Sequence, residues 1–160
     1  MIGGTAFVSS GEITNAIWFA TLPYGLIVAS VLVGKHIDKI SSDKPLGVRS
    51  VPVLLGEKNS LVLNKFFFIL FYLMIFALVY FKFTGPWILL TLLAAPRLRQ
   101  TWKVYSEPKP LEAPEEWTVW PLWYVGWAMH FNRKAGELFI FGLILNILIP
   151  KTVILSRLCI

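Results

Sequence analysis

The residues best suited to chemistry lie close together between Lys35 and Arg49. These fifteen positions contain two carboxylates, Asp38 and Asp43, and four strong bases. The bases are Lys35, Lys39, Lys44 and Arg49. Mg²⁺ is usually held by one or two carboxylates together with substrate phosphates, and lysine and arginine bind phosphate oxygens. The passage therefore predicts a site for a divalent cation and an anion such as a diphosphate.

Apolar segments flank this passage on both sides. Residues 13–34 carry no charge, and a helix of that length rises about 33 Å, enough to cross a hydrocarbon core of roughly 30 Å. Residues 61–81 are apolar apart from Asn64 and Lys65, and a lysine near the end of a span can reach the interface. We therefore expect membrane helices over 13–34 and 61–81, with a polar motif loop over 35–60 between them.

Two further spans are expected at 86–104 and 135–150. The first has a short apolar core because Arg97 and Arg99 follow it closely, and we expect these arginines to snorkel to the interface. The second is also short and borrows length from the residues before it if it tilts. The chain is thus predicted to be an all-α integral membrane protein, a helical bundle with three or four transmembrane helices.

Two other segments are expected not to cross the bilayer. Residues 117–131 are rich in aromatic side chains and favour an interfacial helix, with His130 and Arg133 on its polar face. Residues 1–11 favour an interhelical loop, and the N-terminus lacks the basic region and cleavage site of a signal peptide.

Composition supports a membrane protein over a soluble one. Hydrophobic residues make up 56% of the 160 residues, charged residues only 15%, and the mean hydropathy is +0.67. The net charge of +6 lies beside the apolar segments without interleaved aromatic residues, which argues against nucleic-acid binding. Cys159 is the only cysteine, which excludes an intrachain disulfide and a cysteine-based metal site.

The distribution of bases predicts an orientation. If each predicted span crosses the bilayer, twelve bases share the face of the motif loop and three lie on the other face. The three are Lys82, Lys151 and Arg157. Because the cytoplasmic face of a membrane protein carries the excess of Lys and Arg, we expect a multi-pass protein of the cell membrane with a cytoplasmic motif loop.

The motif passage resembles the second aspartate-rich motif of the UbiA superfamily of intramembrane prenyltransferases. The resemblance starts at Asp43 and continues as Asp-x-x-x-Gly-x-Arg-Ser-x-Pro-Val-x-Leu-Gly-Glu, ending at Glu57. The later helices, and the passage from Trp120 to Gly136, resemble the C-terminal half of that family. The family's first motif, of the Asn-Asp-x-x-Asp-x-x-x-Asp kind, has no counterpart in the 160 residues. The resemblance therefore implies a single membrane domain over 1–160 that forms half of a longer fold.

The resemblance also implies an activity and a set of site residues. A Mg²⁺-dependent enzyme of this family transfers a polyprenyl group from its diphosphate to a small aromatic acceptor, as in quinone or tetrapyrrole-lipid biosynthesis. Asp43 and Asp38 would be the catalytic metal ligands. The diphosphate would be bound by Lys39, Lys44, Arg49 and His36.

The spacing of the two aspartates departs from the family pattern. Asp38 and Asp43 are five residues apart, which on a regular helix separates them by about 140°, whereas the family spaces its pair by four. Either His36 replaces one polar ligand, or the helix has already unwound at Ser41 and Ser42. We therefore expect Asp43 to contribute more than Asp38.

Three classes of function remain open on sequence alone. The first is the prenyltransferase, inactive as an isolated chain and completed by an N-terminal half or by a second copy in a homo-oligomer. The second is a catalytically silent membrane assembly protein that keeps the same fold. The third, a transporter or channel element, is disfavoured because the charges lie at one face rather than in mid-span.

Overall fold

A computed structural model of the chain describes residues 2–12, 14–115 and 117–149. The helices are α1 (Ile2–Ser10), α2 (Asn15–Asp38), α3 (Ile40–Asp43), α4 (Val51–Tyr80), a 3₁₀ helix (Pro86–Ala94), α5 (Ala95–Val104) and α6 (Tyr124–Leu148). The described residues contain no strand, which confirms the all-α prediction. Ile13 and Pro150, which bound two predicted spans, lie outside the described residues, as do Lys151, Arg157 and Cys159.

Helices α2 and α4 are long and apolar enough to cross a membrane, over Ile17–Asp38 and Val51–Tyr80. At the start of α2 the Thr14 hydroxyl accepts a hydrogen bond from the Ile17 amide at 3.4 Å, as a side-chain cap does. Both helices extend into the predicted motif loop. The residues left between α3 and α4 are 44–50, a tight connection rather than a long loop.

Two glycines shape the connection and the start of α4. Gly47 has φ +72 and Gly56 has φ +78, a backbone region that residues with a Cβ rarely adopt. The first lets the chain turn back after α3, where the Val48 amide donates to the Asp43 carbonyl at 3.1 Å. The second interrupts the helical geometry of α4 after its first turn.

The second half of the chain departs from the predicted spans. Residues 86–104 form the 3₁₀ helix and α5, joined end to end, with Pro96 in the first turn of α5, where its missing N–H has no cost. Residues 135–148 form part of α6, which begins at Tyr124 and so includes about half of the predicted interfacial helix. Arginine and lysine are good helix formers, so Arg133 and Lys134 interrupt the hydropathy of α6 but not its backbone.

The predicted loop over 1–11 is wrong, because α1 occupies most of it. The helix ends at Gly11, whose φ of +74 and amide bond to the Phe7 carbonyl at 2.8 Å form a C-cap. Gly11, a residue typical of helix C-caps, was visible in the sequence. The small residues before it are weak helix formers, so the sequence did not predict a helix there.

The core forms where α2 packs against α4 and α6, and where α6 packs against the 3₁₀ helix and α5. Its centre is aromatic: the Phe68 and Phe131 rings lie 5.1 Å apart edge to face, and the Phe71 and Phe131 rings 5.9 Å apart. All three side chains are fully buried. The outer face of α4 is apolar but exposed, as expected of a surface that faces lipid or another helix.

Candidate functional site

The residues predicted to form the site lie at the end of α2 and in the connection to α4. Asp43 ends α3, and its side chain is largely buried, with 15% exposed. Its Oδ2 lies 3.5 Å from Nδ1 of His36, on the last turn of α2. Within the described part of the chain, His36 is the only side chain paired with the Asp43 carboxylate. The structure thus brings two of the predicted site residues together and leaves Asp43 with free acceptor capacity.

Asp38 is held differently. Its side chain is fully buried. Its Oδ1 accepts hydrogen bonds from the Tyr124 amide at 3.1 Å and from Lys109 Nζ at 3.3 Å, and its Oδ2 accepts from the Val125 amide at 3.0 Å. These donors lie on the first turn of α6 and in the loop before it, so Asp38 is directed to α6 rather than paired with Asp43.

The three predicted diphosphate-binding cations are exposed. Lys39 caps the end of α2, Lys44 follows α3, and Arg49 precedes the start of α4. None of the ion pairs among residues 2–12, 14–115 and 117–149 involves these three side chains. They surround the Asp43 turn along the chain and are free to approach an anion.

The fit to Mg²⁺ differs between the two aspartates. The described residues contain no group of three or more His, Cys, Asp or Glu side chains that could hold a metal ion by themselves. Mg²⁺ can be held by a single carboxylate together with substrate phosphates, and Asp43 fits that role. Asp38 fits it poorly, because it is fully buried and already accepts three hydrogen bonds.

A buried polar network adjoins the site and was missed by the sequence analysis. Asn64 Nδ2 donates to the Ser30 carbonyl at 2.9 Å and to the Tyr105 hydroxyl at 3.2 Å. The Tyr105 hydroxyl in turn donates to the Tyr124 carbonyl at 2.8 Å, and the Tyr124 hydroxyl donates to Glu57 Oε1 at 3.1 Å. The network therefore connects α2, α4 and α6. The one available signal was an asparagine inside an apolar run, which seldom occurs without a partner.

The tyrosine hydroxyls of this network stay protonated. Burial raises the pKa of Tyr105, and the negative charge of Asp38 raises it further. Burial also raises the pKa of Tyr124, as does the neighbouring Glu57 carboxylate. Both hydroxyls are therefore donors throughout the physiological range.

An open groove of about 470 Å³ lies beside this network. It runs between the start of α4 and the loop after α5, and its walls combine charged and aromatic side chains. The polar and aromatic wall residues include Glu57, Lys58, Lys65, Tyr105 and Tyr124. It is large enough to admit a small molecule near the motif end of the bundle.

The remaining polar residues singled out in the sequence form a separate group on α5 and α6. Arg97 Nη1 donates to the His130 carbonyl at 3.3 Å, and His130 Nε2 lies 3.1 Å from Gln100 Oε1. These contacts join the two helices. They agree with a polar helix face rather than with a site.

Comparison with known proteins gives one match. The sequence matches the UbiA prenyltransferase family over residues 1–122, which includes α1 to α5 and the complete motif passage. No curated protein and no solved structure matches the chain. The match covers about three quarters of the 160 residues and confirms the predicted family and its membrane helical fold. The chain therefore belongs to the UbiA prenyltransferase family.

Proposed function

We propose that this chain provides one side of a membrane active site that transfers a polyprenyl group from its diphosphate to a small aromatic acceptor. The observation that carries the proposal is Asp43, a largely buried carboxylate with free acceptor capacity inside the family's motif passage. The products of such a reaction are prenylated aromatic compounds of the kind used in quinone and related lipid biosynthesis.

The reaction breaks the bond between the first prenyl carbon and a diphosphate oxygen. The electron pair leaves with the diphosphate, an electron-rich ring carbon of the acceptor attacks the allylic cation, and the ring loses a proton. The protein must offset negative charge that grows on the leaving diphosphate. Mg²⁺, when bound, supplies part of that compensation.

The residues around Asp43 are suited to this task. Asp43 would hold the cation against the diphosphate, with His36 fixing the carboxylate from the other side. Lys39, Lys44 and Arg49 are exposed cations without acidic partners among the described side chains, so they can bind diphosphate oxygens.

Apolar grooves in the bundle are suited to the prenyl tail. One, of about 300 Å³, lies between the start of α2 and the end of α4 and is lined entirely by apolar side chains, among them Phe19, Leu78 and Phe83. Another, of about 330 Å³, lies between α2 and α6 beside Tyr24 and Phe139. A polyprenyl chain or a lipid acyl chain can lie in either groove.

The second side of the site is proposed to come from another polypeptide segment. One motif carboxylate provides too few ligands for a metal ion that bridges to a diphosphate. The 160 residues contain no counterpart of the family's first aspartate motif. An N-terminal half carrying that motif, or a second copy of this chain, would provide the missing ligands. The isolated chain is accordingly expected to be inactive.

A catalytically silent assembly protein is the second candidate. The contacts of Asp38 favour it, because they assign one of the two predicted metal ligands to holding the fold together. Loss of Mg²⁺-dependent diphosphate binding would be its signature.

The test is reconstitution. Membranes containing this chain together with an N-terminal half that carries the first motif should convert farnesyl diphosphate and 4-hydroxybenzoate, in the presence of Mg²⁺, to a prenylated product. Each half alone should show no turnover above background. Asp43→Asn should reduce the rate at least a hundredfold, because it removes a cation ligand in a polar position without creating a cavity.

Ser42→Ala is the matched control. It alters the neighbouring residue, whose exposed hydroxyl has the Lys39 carbonyl, at 3.0 Å, as its one hydrogen-bond partner among the described residues, and it should leave the rate unchanged. Turnover that survives Asp43→Asn would contradict the assignment of Asp43. Turnover by the isolated chain would favour two copies of this chain facing each other. No Mg²⁺-dependent binding of farnesyl diphosphate by the assembled halves would favour the silent protein.

A further inference from the structure

The contacts of Asp38 give it a role that the family resemblance does not. We propose that Asp38 is a positioning residue: together with Lys109 and the Tyr124 and Val125 amides it forms a clasp that fixes the motif end of α2 against the start of α6. The inference goes beyond the proposed function, and it can be tested without turnover.

The clasp provides hydrogen-bond acceptors for the first amides of α6. The first amides of a helix have no partner inside it, and the N-terminus carries a partial positive charge. No side chain of its own segment caps α6. Asp38 supplies the cap from 86 residues away, with one oxygen on the Tyr124 amide and the other on the Val125 amide. A carboxylate suits this position because it accepts two amides at once and carries the charge that the helix terminus favours.

Lys109 completes the clasp and ties in the loop that precedes α6. Its ammonium lies 3.3 Å from Asp38 Oδ1, with 25% of the lysine side chain exposed. The same ammonium donates to the Pro121 carbonyl and lies 5.0 Å from the centre of the Trp120 ring. Because the Asp38 carboxylate is fully buried, its charge needs this cation, and loss of either partner would leave the other without compensation.

The clasp also fixes the motif passage relative to the bundle. On α2, a Cβ added to Gly34 would lie 3.1 Å from the Tyr124 carbonyl oxygen, so the two helices meet there at backbone distance. The Tyr124 hydroxyl donates to Glu57, just after the break at Gly56 in α4. Tyr124 thus contacts both helices that flank the Asp43 turn.

The unusual spacing of the two aspartates follows from this division. Asp38 ends α2 and Asp43 ends α3, and the backbone of Lys39 between the two helices is not helical. Asp38 faces the start of α6, whereas Asp43 pairs with His36. The pair therefore does not need the four-residue spacing of two ligands that share one face.

Amide hydrogen exchange of the 160-residue chain in detergent tests the clasp directly. In EDTA, the Tyr124 and Val125 amides of the unaltered chain should be protected. Asp38→Asn and Lys109→Met should each accelerate their exchange about tenfold or more, because each removes one partner of a buried ion pair. Asp43→Asn in α3 and Lys44→Met at the exposed turn after it are the matched changes outside the clasp, and both should leave it unchanged.

The response of amide exchange to Mn²⁺ distinguishes the clasp from a metal site. Adding Mn²⁺ should not alter exchange at Tyr124 and Val125, since the Asp38 oxygens already serve these amides. A Mn²⁺-dependent change at these amides that Asp38→Asn abolishes and Lys109→Met preserves would identify Asp38 as a ligand and overturn the proposal. If Asp38→Asn does not fold, Lys109→Met tests the clasp alone, because it keeps every carboxylate. Unchanged exchange at Tyr124 and Val125 in Lys109→Met would also overturn the proposal. Failure of the transferase reconstitution would not affect either result.

Discussion

Asn64 forms polar contacts between helices inside the bundle. It is fully buried on α4 and bonds to α2 through the Ser30 carbonyl and to Tyr105 beyond α5. Its Oδ1 has no partner among the described residues, so the amide group contributes as a donor. Between apolar helices a polar contact of this kind fixes which faces meet, because the alternative is an unpaired group in an apolar medium.

We expect Asn64→Ala to destabilise the bundle by about 1 kcal/mol or more, because it removes a donor from two buried oxygens and leaves a small void. Unfolding by SDS titration from detergent micelles measures the effect. Asn59→Ala is the control: Asn59 lies on the same helix and is exposed, and within the described part of the chain its side chain bonds just to the Leu55 carbonyl one turn away. Equal losses at the two positions would mean that the interhelical bonds contribute nothing.

Among the elements, α6 is held in place by close backbone contacts as much as by side chains. A Cβ added to Gly142 would lie 2.7 Å from the Trp87 carbonyl oxygen and 2.8 Å from the Ile88 Cα, both backbone atoms of the 3₁₀ helix. Small residues at such crossings let helices approach where packing, rather than the hydrophobic effect, must hold them. The sequence shows where the glycines are, but not which of them lie where two helices cross.

Gly142→Ala should therefore destabilise the fold by roughly 1–3 kcal/mol, because the methyl group has to push the two helices apart. Gly25→Ala on α2 should be neutral or slightly stabilising, since nothing lies within 4 Å of its added Cβ and alanine favours the helix. The same SDS titration compares the two. A neutral Gly142→Ala would contradict the tight crossing between α6 and the 3₁₀ helix.

At the scale of the whole molecule, the two ends of the bundle differ in polarity. The motif passage and the loop before α6 meet at one end, as the contact of Lys109 with Asp38 shows. Helix α4 runs away from that end for 30 residues, about 45 Å if it were straight, and ends at Tyr80, two residues before Lys82. The predicted orientation places the motif end in the cytoplasm, where basic residues accumulate.

Single-cysteine labelling in intact cells tests this orientation. After Cys159→Ser, cysteines at Ser42 and Leu111 should react only when the reagent reaches the cytoplasmic side, whereas one at Lys82 should react from outside. Leu111 is almost fully exposed and lies in the same loop as Lys109, which leaves the clasp intact. Labelling of positions 42 and 111 from opposite sides would contradict both the orientation and the arrangement of the two loops.

The amino-acid sequence by itself determined the class of the protein and predicted a place for its site. Hydropathy is a local property that sums along a segment, so α2 and α4 were predictable from the apolar runs that form most of them. The motif passage was predictable because it too is local: Asp43, Gly47 and Arg49 lie within seven residues. Gly47 has a positive φ, which a turn within this short stretch requires. The extent of α6 was less predictable, since hydropathy falls at Arg133 although the backbone bonding continues.

Only the tertiary structure decided what the polar side chains do. Asp38 and Asp43 are the same residue type in the same motif. Asp38 contacts amides 86 and 87 residues away and a lysine 71 residues away, whereas Asp43 contacts a histidine seven residues before it. Asn64 and Asn59 also differ in their partners: Asn64 bonds to another helix, and Asn59 bonds within its own helix. A side chain's partner depends on which helices pack together and at what rotation, and this choice is made by the whole core at once. No short stretch of sequence carries that information.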